Sequence, residues 1–154
     1  VVRRPVAWVV AVVLFAEAIG VAMLNWLLAS VVDRQQMSLA GLDPDAMSLS
    51  AKIGGVVFGL CFALFGLVAL LVALRDRRPA GLGRVLLISA AVVHGLLGAV
   101  AWGLVGPAAF VFMVVVLALI VLLLMTYDRL EEPADTAAQD GGSPVTPESA
   151  PTAP

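Results

Sequence analysis

PAAFVFMVVVLALIVLLLMT, residues 107–126, decides the class of this chain: twenty residues follow one another without a charge. A hydrocarbon core about 30 Å thick is crossed by about 20 apolar residues rising about 1.5 Å each, so this run fits one passage through a bilayer. Working outward, Gly106-Pro107 forms a tight turn, with Pro107 suited to the first position of a helix. Before it lie three more runs of spanning length, at about 85–105, 49–74 and 5–32. Breakers separate them: Arg75-Asp76-Arg77-Arg78-Pro79 between the second and third, and Asp43-Pro44-Asp45 between the first and second. The expected architecture is all-α, a four-helix transmembrane bundle over residues 1–130. A disordered acidic tail rich in Pro and Ala is expected over 131–154, where no apolar periodicity remains.

Composition agrees. Hydrophobic residues make up 62% of the chain against roughly 45–50% in a soluble domain, so most of the surface needs a solvent other than water. The formal charge of -2 describes the tail, where Glu131, Glu132, Asp135, Asp140 and Glu148 lie; without those five acids the body is +3. A single cysteine, Cys61, permits no intramolecular disulfide and no Cys-based zinc cluster. Arginine outnumbers lysine eight to one, a bias expected of a high-GC bacterium.

Orientation follows from the basic residues, which cytoplasmic loops retain. Arg3, Arg4, Arg75, Arg77, Arg78, Arg84 and Arg129 fall on one side and only Arg34 and Lys52 on the other, so both termini are expected in the cytoplasm. Trp8, Trp26, Trp102 and Tyr127 stand near the span ends, where amphipathic rings prefer the interface. The first run is too long for a signal-peptide core and no small-residue cleavage site follows it, so it is read as a span.

In lipid, helices associate over small residues that let backbones approach. Ala51, Gly55, Gly59 and Ala63 recur every four residues in the second span, as do Ala91, Gly95, Ala99 and Gly103 in the third. Both faces are expected to pack closely, within the chain in preference to a second copy, with these two helices central and the fourth, apolar all round, at the edge.

Glu17 stands near the middle of the first span. A charge there costs roughly 2.5–3.5 kcal/mol on insertion scales, so a partner must offset it or a proton must remove it. Two readings stay open: a proton- or ligand-binding carboxyl, or a neutral side chain hydrogen-bonded to a neighbouring helix. His94 lies about ten residues into the third span, which runs in the same direction as the first. Counting about 1.5 Å per residue brings the two within one helical turn in depth, close enough to pair. Alone, His94 is first a structural hydrogen bonder, and one histidine with one glutamate makes no metal site. Asn25 and Ser89 are expected to bond between helices, Lys52 to snorkel to the headgroups, and Asp33, Asp43 and Asp45 to cap helices and make turns.

The run Ala16-Glu17-Ala18-Ile19-Gly20 resembles the first-helix signature of the small multidrug resistance transporters, short four-helix proteins that act as homodimers. The resemblance implies that Glu17 binds a proton or a cationic substrate. The chain departs from that family in its long first outer loop, in lacking the small-residue and tyrosine stretch after the second helix, and in a fourth span without a glycine-bearing dimer face. As a whole it resembles the small four-span membrane proteins of high-GC actinobacteria, which brings no activity with it. No nucleophile with a base, paired carboxylates or phosphate-binding loop is found, so an enzyme is not expected, nor a cofactor, metal or nucleic-acid partner. The expectation is a non-enzymatic accessory or structural protein of a bacterial cytoplasmic membrane, in contact with the lipid bilayer and with a second copy or a larger complex. The alternative is a proton-coupled transporter acting as a homodimer.

Overall fold

The computed structural model describes residues 3–36, 41–77, 79 and 81–128; the segment 131–154, expected as a tail, lies outside them, as do Arg78 and Arg129. Four helices make up the described chain: α1 (Arg3–Gln35), α2 (Pro44–Arg75), α3 (Leu82–Leu104) and α4 (Pro107–Asp128). All four are long and apolar enough to cross a membrane.

Local chemistry fixes their ends. Asp43 caps α2, its Oδ1 accepting from the backbone N–H groups of Asp45 (2.8 Å) and Ala46 (3.3 Å), while Pro44 occupies the first turn without needing a donor. The capping role expected of Asp43 thus starts α2 about five residues before the apolar run. Asp76 closes α2 in the left-handed conformation (φ 47°), its N–H returning to Val72 O at 2.9 Å. The α3–α4 turn rests on Gly106, whose φ of 120° suits glycine alone, and whose N–H reaches Ala101 O at 2.9 Å.

The helices form a ring in chain order. α1 packs on α2 and α4, and α3 packs on α2 and α4, while neither diagonal pair brings its backbones together. The closest pair is α1 with α2, not α2 with α3. A Cβ at Gly55 would sit 2.8 Å from Asn25 Cβ, and one at Gly59 would lie 3.3 Å from both Ala18 O and Ala22 Cβ, so the α2 glycines seat α1 directly. Gly66 accepts the face of the Phe15 ring in the same way.

Most of the other small stripe faces out. Gly95 and Gly103 have open space where a side chain would be, Ala99 is exposed and Ala91 half-buried. α3 instead buries Leu87, Ala90, His94, Gly98 and Ala101. Successive helical residues differ by about 100° in azimuth, so α3 cannot turn both His94 and Gly95 inward, and the polar residue takes the interior. α4 lies within the ring and buries the stripe Val116, Ile120, Leu123 and Tyr127.

The helices differ in length. α1 and α2, with 33 and 32 residues, each extend about 50 Å, whereas α3 and α4, with 23 and 22, extend about 34 Å. Their arginine-rich ends are level, because Arg4 Nε donates to Ala73 O (3.4 Å) and Tyr127 OH donates to Asp76 Oδ1 (3.1 Å). The surplus of α1 and α2 therefore lies at the opposite end. There Lys52 Nζ donates to Asp33 Oδ2 at 2.9 Å in a partly exposed ion pair, rather than snorkelling alone.

Candidate functional site

Glu17 and His94 meet across the α1–α3 diagonal. His94 Nε2 and Glu17 Oε2 are 2.9 Å apart, with the histidine side chain fully buried and the glutamate side chain 8% exposed. Since the two backbones do not touch, the side chains alone span the centre of the ring. Phe62 of α2 stands edge-on to the imidazole, ring centroids 5.5 Å apart at 66°, and closes one side of the pair with apolar surface.

The other imidazole nitrogen determines what the pair can hold. His94 Nδ1 lies 2.7 Å from Ala90 O, one turn back on the same helix. A carbonyl oxygen only accepts, so Nδ1 carries a proton. The contact between Nε2 and Oε2 then needs one proton on its own line. That proton belongs either to a Glu17 hydroxyl donating to neutral His94 or to an imidazolium donating to a carboxylate. Both arrangements are neutral overall. The pair therefore answers the charge problem that Glu17 poses without placing net charge among the spans.

One atom is left over. Glu17 Oε1 is buried and has no hydrogen-bond partner among the described residues. A buried oxygen left without a donor costs about 1–3 kcal/mol, so this position has a standing attraction for a proton or a hydrogen-bond donor. Glu17 also forms part of the wall of an apolar cleft of about 420 Å³, in which Gly20 and Leu24 of α1 face Leu97 of α3 and Phe112 and Met113 of α4.

The pair sits on a boundary. Toward the arginine-rich end the interior is filled from all four helices, by residues such as Leu14, Phe65, Leu87, Ile120 and Tyr127. Toward the other end the two hairpins hold together separately. Gly55 and Gly59 seat α1 on α2, while α3 and α4 meet where Gly98 faces Met113 and where Trp102 stacks edge-on with Phe110 at 5.1 Å. The cleft opens between them, with Glu17 and Phe62 in its wall and His94 fully buried away from it.

Of the residues singled out in the sequence, Glu17 and His94 are brought together, and Gly55 and Gly59 meet α1 with Ala63 half-buried beside them. Gly95, Ala99 and Gly103 are not brought into the bundle, whereas Ala91, half-buried, packs against the core. Asn25 bonds within its own helix, Nδ2 donating to Val21 O at 2.9 Å, instead of between helices. The three tryptophans face outward, but Tyr127 is fully buried and serves as a tie to Asp76 in place of an interfacial anchor. Phe62 was legible only as one more apolar residue. Nothing in a single sequence marks the phenylalanine that faces a histidine.

No family model, no curated protein and no solved structure matches this chain.

Proposed function

We propose that this is a non-enzymatic, multi-pass component of a bacterial cytoplasmic membrane, with both termini inside, that acts as an accessory or structural subunit alongside a larger membrane complex or a second copy of itself. The observation that carries this reading is the closure of Glu17 on His94 inside one copy of the chain. The costliest polar group of the spans finds its partner internally, as a group that fixes the bundle does. The outward small-residue face of α3 is the surface on which a neighbouring transmembrane helix would approach closely. The excess of arginine at one end supports the orientation.

The test is proton flux into proteoliposomes that carry an internal pH dye, for the wild-type chain and for Glu17→Gln. The expected result is flux no higher than in empty liposomes for both, with the variant still folded. Flux present in the wild type and lost in a folded Glu17→Gln protein would overturn the accessory reading.

That outcome would favour the second reading, a small proton-coupled transporter working as a homodimer with Glu17 as its coupling carboxyl. One observation favours it: Glu17 lines the cleft between α1 and α4 and keeps an unpartnered oxygen. A coupling carboxyl needs a place beside a cleft and an acceptor oxygen not already used, and these two features of Glu17 support that reading.

A further inference from the structure

Outside the packed interior, the surface between α2 and α3 is grooved at the arginine-rich end. A groove of about 740 Å³ runs there, walled by Val68, Leu71 and Val72 of α2 and by Leu82, Gly83 and Leu86 of α3, with Arg75 and Arg77 at its mouth beside Pro79. From Val68 to Arg75 the apolar wall follows α2 for about 10 Å. One end of the groove is thus aliphatic and lies in the spans. The other is cationic and lies where the helices leave them.

Three features leave that positive charge unanswered. Neither guanidinium makes a hydrogen bond or ion pair among the described residues, and both residues are exposed. The acid between them, Asp76, does not line the groove; its carboxylate accepts from Tyr127 OH on α4. The C-terminal end of the α2 dipole is negative and offsets part of the charge. Opposite it, however, the N-terminal end of α3 is positive, and its cap, Gly81, offers no side-chain acceptor to the first N–H groups, while Leu82 and Gly83 themselves line the groove.

We propose that this groove binds an anionic glycerophospholipid, with the phosphate between Arg75, Arg77 and the start of α3 and one acyl chain along Val68, Leu71 and Leu86. A basic site between helices at the bilayer surface, continuous with an aliphatic slot, complements both parts of that molecule at once. A free phosphate would satisfy the arginines and leave the slot empty. A neutral lipid would fill the slot and leave the arginines unpaired. The assignment rests on the chain spanning a bilayer, but not on which side its termini lie.

The experiment is native mass spectrometry of the full chain, delipidated in a maltoside detergent and offered equal amounts of phosphatidylglycerol and phosphatidylcholine of the same chain length. Wild type should retain phosphatidylglycerol about thirtyfold better, from roughly fivefold per arginine at an anionic surface. The Arg75→Gln/Arg77→Gln protein should lose most of that preference, while Arg34→Gln at the other end should keep it. Val68→Trp, which fills the slot, should lower retention of both lipids. Equal retention of the two lipids by wild type, or a preference unchanged in the double variant, would overturn the proposal. So would displacement of the bound lipid by 10 mM inorganic phosphate with Val68→Trp without effect, which marks a simple anion site. Release of the protein from membranes by alkaline carbonate would sink the membrane reading instead.

Discussion

The two halves of the bundle are made of the same residue types and hold together differently. Between the Glu17–His94 pair and the arginine-rich end, all four helices contribute to one packed interior. Beyond the pair, the structure is two hairpins side by side with a cleft between them. In water such a cleft would be closed by the hydrophobic effect, but lipid tails solvate leucine as well as another helix does, so an apolar seam has no drive to shut. The difference teaches that cohesion here comes from fit and from hydrogen bonds. It is strong where side chains interlock or where a polar pair has nowhere else to go.

That contrast can be broken at four points, all read as changes in unfolding free energy in detergent micelles by steric trapping. The largest effect is expected at the boundary itself. His94→Ala strips Glu17 of its only hydrogen-bond partner among the described residues and should lose about 3–4 kcal/mol, the range for breaking one side of a buried pair. A loss below about 1 kcal/mol would mean that the pair does not hold the diagonal. Next is the packed half: Leu14 is fully buried, and Leu14→Ala should cost about 2–3 kcal/mol through the cavity it leaves. Tyr127→Phe keeps the buried ring and removes the bond to Asp76, which water can replace at the exposed end, so about 1 kcal/mol is expected. The smallest change belongs to the open half. Leu24→Ala, on the wall of the cleft, should stay within about 0.5 kcal/mol of wild type. If Leu24→Ala matched Leu14→Ala, the cleft would be closed in the working protein and the comparison would fail.

How much of this was legible depends on what a periodic sequence records. Depth was: the span lengths and the 1.5 Å rise bring Glu17 and His94 to one level, and they are bonded. Azimuth was not. The glycines of α2 and α3 carry equal small-residue stripes, yet Gly55 and Gly59 seat α1 while Gly95 and Gly103 look outward, because His94 sets the rotation of α3. α4 gives no hint of its buried stripe, since Val116, Ile120 and Leu123 differ in no property from the outward residues beside them. A core and a solvent that are equally apolar leave no trace of which face is which. The ties at the ends were hidden for another reason. Asp76 and Tyr127 are 51 positions apart, at the ends of two helices that lie diagonally across the ring, and only their side chains join them.

The unequal helices have a consequence for the bilayer itself. One side of the molecule presents two rods of about 50 Å and the other two of about 34 Å, level at the arginine-rich end. A single lipid thickness cannot match both. The long hairpin must lean, or the leaflet around it must thicken while the leaflet around the short hairpin stays near its resting height. The protein then carries a lopsided collar of strained lipid, a ramp instead of a ring.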